Sequence, residues 1–145
     1  MTDDAGLAAW SAMLQAHSAA LRAIDAELAR AATIPLTWYD VLLELRGAEE
    51  GRLQMQELGR RVVLSRTRVS RLVDEMTAHG LVGKVRDEDD RRVVWATITD
   101  EGVAALRKTA PLYLRGIETH FSRFLTETEK AVLESALTKV SRQGA

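Results

Sequence analysis

Met55-Gln56-Glu57-Leu58-Gly59-Arg60-Arg61-Val62, then Val63-Leu64-Ser65, then Arg66 to His79, reads as a short amphipathic helix, a tight turn and a second helix. Ser65 can cap the second helix by accepting from its unpaired N–H groups. Within that helix Val69, Leu72, Val73 and Met76 recur at the i, i+3, i+4, i+7 spacing of a buried stripe. Thr67, Arg71 and Asp74 fall on the opposite face, with Arg68 on one flank. Gly80 stops the helix, as glycine adopts the left-handed terminating conformation without a Cβ clash. Leu81–Arg86 and Val93–Ile98 read as strands joined by the charged loop Asp87-Glu88-Asp89-Asp90-Arg91-Arg92.

Working outward, Arg52-Leu53-Gln54 can pair with this hairpin as a third short strand, and Glu49-Glu50-Gly51 is a turn. Thr37 to about Arg46 predicts a helix capped by Thr37, with Trp38, Val41, Leu42 and Leu45 on its buried face. Beyond lie two long apolar seams. Leu7, Trp10, Leu14, His17, Leu21, Ile24 and Leu28 alternate three- and four-residue steps, and so do Val103, Leu106, Ala110, Tyr113, Ile117, His120 and Phe124. Thr99 or Asp100 caps the second helix and Pro111 kinks it. Thr126-Glu127-Thr128-Glu129 has capping-box spacing before a last helix with Val132, Leu133, Ala136, Leu137 and Val140 on one face.

The predicted fold is mainly α with a small β-wing: a winged helix-turn-helix flanked by N- and C-terminal dimerisation helices. Residues 1–34 form the N-terminal dimerisation helix, 35–102 the DNA-binding region and 103–145 the C-terminal dimerisation helices, all in one intertwined domain. Apolar stripes of this length must be buried, either against a second copy or against each other within a monomer.

Charge and composition narrow the function. Between Arg60 and Arg92 nine basic residues face six acidic ones; that is +3 locally, in a chain of formal net charge −1. A basic patch on an otherwise acidic chain points to a local phosphate-binding face. The 145 residues contain no cysteine, which excludes disulfides, thiolate metal sites and cysteine nucleophiles. No apolar run approaches the length of a membrane span, and Met1-Thr2-Asp3-Asp4 lacks the start of a signal peptide. A cytoplasmic protein is expected, nucleoid-associated when bound to DNA. No catalytic constellation, cofactor motif or metal motif emerges, so an enzyme is not expected.

The arrangement resembles the MarR family of bacterial transcriptional regulators. The resemblance rests on Leu64 to Val73, on Gly80-Leu81-Val82, on Asp87-Glu88-Asp89-Asp90-Arg91-Arg92 and on Thr97-Ile98-Thr99-Asp100-Glu101-Gly102. It implies a homodimer on a pseudo-palindromic operator, usually a repressor, released by a small aromatic or phenolic ligand. One departure is Lys84, where many members carry arginine; lysine offers a point charge rather than a bidentate fork.

The DNA-binding candidates are Ser65, Arg66, Thr67, Arg68, Ser70, Arg71, Lys84, Arg86, Arg91 and Arg92. Arg68 and Arg71 are the candidates for guanine edges or phosphates, with a pairing to Glu75 as the alternative for Arg68. Arg91 at the wing tip is the minor-groove candidate. Of the loop acids, Asp90 is read as orienting a neighbouring arginine and the others as pointing outward. Trp10, His17, Trp38, Tyr39 and Tyr113 are candidates for an effector pocket, against the plainer reading of core or interface residues. The rival functions are a winged-helix protein-interaction module and an architectural DNA binder without sequence preference.

Overall fold

A computed structural model describes residues 3–62 and 66–143, with only the backbone of Arg66 included. The elements run α1 (Asp4–Arg30), α2 (Leu36–Gly47), β1 (Arg52–Gln54), α3 (Met55–Arg61), α4 (Arg66–Ala78), β2 (Val82–Arg86), β3 (Val94–Ile98), α5 (Asp100–His120) and α6 (Glu127–Gln143). Among the described residues no helix is long and apolar enough to cross a membrane. Two compact units emerge, Leu28–Pro111 and Met1–Glu27 with Leu112–Ala145.

The Leu28–Pro111 unit holds the helix-turn-helix and the sheet. Val69, Val73 and Met76 of α4 are buried with Leu58 of α3 and Val41, Leu42 and Leu45 of α2. The sheet is antiparallel in the order β1-β3-β2. Leu53 is opposite Ala96, and Val82 is opposite Ile98. Leu53, Ala96 and Val82 are buried, so this face of the sheet meets the core.

Helix α2 corrects one expectation. Its N-cap is Pro35 rather than Thr37, and no side chain caps it. The Pro35 carbonyl accepts from Trp38 N (3.1 Å) and Tyr39 N (3.0 Å), which places Thr37 inside the first turn. Pro35, with φ −62°, is extended on the approach and has no N–H that needs a partner. Trp38 is only half-buried, and Tyr39 takes the more enclosed position.

Helix α4 ends as its glycine predicts. Gly80 has φ 77°; its N–H donates to Thr77 O (3.0 Å) and the Leu81 N–H to Met76 O (3.0 Å), a Schellman closure. Thr99 locks this end to the next helix. Its hydroxyl donates to Gly80 O (2.7 Å) and accepts from Gly102 N (3.0 Å), while Thr99 N donates to Leu81 O (3.2 Å). Of the two caps considered for α5, Thr99 is the one observed. A Cβ on Gly102 would collide with the Leu81 carbonyl and crowd Leu42. Helix α5 continues through Pro111.

In the other unit, Ile24 of α1 is buried and sits where a Cβ on Gly116 would meet it at 2.9 Å. His120 Nε2 lies 2.6 Å from Glu27 Oε1, so this seam histidine has a carboxylate partner. The predicted seam ran on to Phe124, but α5 stops at His120. Phe121 leaves helical geometry (φ −142°), and Ser122 turns its hydroxyl back to Glu118 (2.8 Å), so Phe124 falls in a separate 3-10 turn. The capping box of α6 forms: Thr126 N donates to Glu129 Oε1 (2.9 Å) and Glu129 N to Thr126 Oγ1 (3.1 Å).

Thr99→Ala removes a helix cap and the tie to Gly80 together. A loss of about 1–2 kcal/mol is expected. Urea denaturation followed by far-ultraviolet circular dichroism checks it, and an unchanged midpoint would contradict the assigned role.

Candidate nucleic-acid interface

The stripe that buries Val69, Val73 and Met76 leaves the opposite face of α4 to solvent. Thr67, Arg68 and Arg71 are exposed there, as are Asp74 and Glu75. Ser70 is half-buried. Ser65, the expected cap, lies outside the described residues, as does the side chain of Arg66.

Not every arginine in this region is equally available to phosphates. The Arg60 guanidinium pairs with Glu57 (2.5 Å), and Arg61 reaches Glu57 (3.1 Å) and Glu44 (3.6 Å). Arg61, then Arg60, hold the Glu57 carboxyl below the usual carboxylate range. The basic run in the sequence is therefore partly offset by acids from α2 and α3. Lys84 on β2 pairs with Asp74 of α4 at 2.9 Å, which joins the wing to α4. A groove of about 450 Å³ opens between α3, α4 and the wing, lined by Gly59, Arg60, Val69, Ser70, Lys84 and Arg92 among others.

The wing loop is built by its acids. Asp90 grips Arg92 with both oxygens: Arg92 Nε donates to Oδ1 (3.0 Å) and Nη2 to Oδ2 (3.1 Å). This is the orienting contact expected of Asp90. Asp87 departs from expectation, since it points into the loop. Its Oδ2 accepts from the N–H groups of Asp89 (3.1 Å) and Asp90 (3.0 Å), and its Oδ1 from Trp95 Nε1 (3.0 Å). Converging donors explain the inward turn, because a carboxylate can accept several at once. The Trp95 bond first, then the backbone bonds, hold the Asp87 carboxyl below its ordinary range; Arg92 does the same for Asp90. Arg86 Nη1 donates to Arg91 O (2.9 Å), and the Arg91 side chain is exposed. The sequence reading placed Asp87 in the wing loop and Trp95 in its second strand but missed the bond between them, although an acid at the first loop position is the usual signal of an Asx turn.

The five effector-pocket candidates divide between the units. Trp10 and His17 are exposed on α1, and Tyr113 is half-buried on α5. Trp38 and Tyr39 belong to the other unit. Trp38 meets His79 edge-on, with ring centroids 5.0 Å apart. Burial, then Asp40, raises the Tyr39 hydroxyl pKa.

The model of the MarR family matches residues 32–93. The chain is 28% identical over 114 residues to the transcriptional repressor MprA of Escherichia coli, covering 79% of this chain and 64% of MprA. Among solved structures it superposes on Sco3205, a MarR family regulator from Streptomyces coelicolor in complex with DNA, with TM-score 0.88 and 27% identity, covering 99% of this chain and 89% of that one. It also matches the organohalide-sensing regulator RdhR-CbdbA1625 in its 2,4-dichlorophenol-bound form, with TM-score 0.83 and 23% identity, covering 98% and 82%. The last likeness is one of fold.

Asp87→Asn tests the loop electrostatics. A carboxyl with a depressed folded pKa stabilises the native state above its ordinary pKa, near 4, and loses that contribution as pH falls through the depressed value. Wild type should therefore melt above the variant at pH 7, and the gap should close in strong acid. A gap that is the same at both pH values would contradict this account.

Proposed function

We propose that this chain is a MarR family transcriptional regulator, a homodimeric repressor on a pseudo-palindromic operator that is released by a small aromatic effector. The observation that carries the DNA reading is the split of α4. One face is sunk in the core, and the other turns Thr67, Arg68 and Arg71 outward near a wing that carries Arg91 and Arg92. Arginine can pair bidentately with guanine in the major groove, and a narrow minor groove attracts arginine at a wing tip.

Dimerisation is supported by what a single chain leaves uncovered. Helix α6 has no buried residue. On α1, Leu7, Trp10 and Leu14 are 60%, 57% and 46% exposed, and Val132 and Val140 on α6 are 60% and 67% exposed. Apolar stripes of this length on the terminal helices call for a partner surface. A dimer with two recognition helices about 34 Å apart would match one turn of the duplex.

Repression follows the role named for MprA, and an aromatic effector follows the dichlorophenol-bound relative together with Trp10, Trp38, Tyr39 and Tyr113 in this chain. An effector that prefers a dimer with wrongly spaced recognition helices would release DNA by its differential affinity alone. The protein would work in the cytoplasm, on the nucleoid.

Selection from a random duplex pool at near-physiological salt should enrich an inverted repeat with half-sites about ten base pairs apart. No enrichment would favour an architectural or protein-interaction role. On the enriched site, Arg71→Ala should cost ~1–3 kcal/mol and relax preference at one position, whereas Arg91→Ala should lower the salt slope by about one. Sedimentation at micromolar concentration should give twice the chain mass; a monomer there would contradict the dimer.

A further inference from the structure

Trp95 is out of place for a core residue. The pairing register sets it opposite Gln54 on β1 and Val85 on β2. Side chains opposite one another share a face of the sheet, and successive residues alternate. Ala96, fully buried, marks the core face, so Trp95 lies on the outer one beside Val85, which is 55% exposed. Burial alone does not call for an indole there.

Two contacts account for it. The Arg52 guanidinium lies over the ring, 4.2 Å from its centroid, and is itself held by Glu50 at 3.2 Å. The indole N–H donates to Asp87 Oδ1 at 3.0 Å. The other Asp87 oxygen gathers the N–H groups of Asp89 and Asp90, and Asp90 grips Arg92. The loop closes with Asp87 N donating to Val93 O (2.9 Å) and Val93 N to Asp90 O (3.0 Å). One unbroken series of contacts thus runs from the turn before β1, through the indole, to the wing tip. Phenylalanine could fill the same space but has no donor.

We propose that Trp95 is a positioning residue for DNA recognition: through its bond to Asp87 it sets the wing loop that presents Arg91 and Arg92 to the duplex. The inference rests on the reading of the wing as a DNA contact. A loop ordered before binding loses less entropy on the DNA, so the benefit appears in affinity.

Trp95→Phe keeps the ring under Arg52 and deletes the donor. Operator affinity should fall about tenfold, with a shallower salt slope. Arg91→Ala should then cost less in the Trp95→Phe background than in wild type, because the two act on one wing geometry. In the free protein, the amides of Asp89 and Asp90 should exchange faster in Trp95→Phe. Asp87→Ala, which leaves the sheet untouched, should reproduce all three effects and stands in if Trp95→Phe does not fold. Wild-type affinity and salt slope in Trp95→Phe, or strict additivity with Arg91→Ala, would overturn the role of Trp95 alone, provided Arg91→Ala itself weakens binding. If Arg91→Ala binds as wild type does, the wing reading fails and this role fails with it.

Discussion

Where α4 ends, four residues meet in a junction that leaves little freedom. Gly80 takes φ 77° so that the N–H groups of Gly80 and Leu81 can close the last turn. Thr99 reaches from the far end of the wing to the Gly80 carbonyl and, with the same hydroxyl, caps the helix that follows. Gly102 gives the Leu81 carbonyl the space it needs. The end of α4, the start of β2 and the start of α5 are therefore tied together by short hydrogen bonds. The position of the wing beside α4 follows from this knot, and the Lys84–Asp74 pair reinforces it.

Much of the charge in this unit is paired internally. In a chain of net charge −1, a cation is open to a polyanion chiefly where no acid of the chain holds it. Glu57 and Glu44 lie against Arg60 and Arg61, and Asp90 against Arg92. Asp87, which looks unsuited to DNA when counted, accepts from the N–H groups of Asp89 and Asp90 and from Trp95. Its negative charge is partly spent on holding the loop, and the Arg91 side chain is exposed at the tip.

The terminal helices follow a different logic. Their stripes repeat like those of the DNA-binding unit, yet the outcome differs along a single helix: Ile24 and Leu28 are buried while Leu7, Trp10 and Leu14 are open. The sequence pattern states that a face is apolar but not what covers it. The same limit applies to Trp38, which shares the periodicity of Val41, Leu42 and Leu45 but is only half-buried and meets His79 at its edge.

What the sequence determined by itself is whatever depends on short-range rules. Helical spacing located α3 and α4, glycine located the end of α4, and the Thr-x-x-Glu spacing located the start of α6, because each involves residues within a turn or two of one another. The third strand of the wing was also read from the sequence, although its partners, Trp95 to Thr97, lie far along the chain. Two local details still escaped that reading: Pro35 displaced Thr37 as the cap of α2, and the turn at Phe121 and Ser122 cut the second seam short of Phe124. Tertiary structure decided which distant side chains meet. Glu44 reached Arg61 from another helix, and Asp87 turned inward to an indole eight residues away across a hairpin. Whether a charge is offered to DNA or held by a neighbour depends on which side chains the fold brings within hydrogen-bonding distance, and no local periodicity encodes that distance.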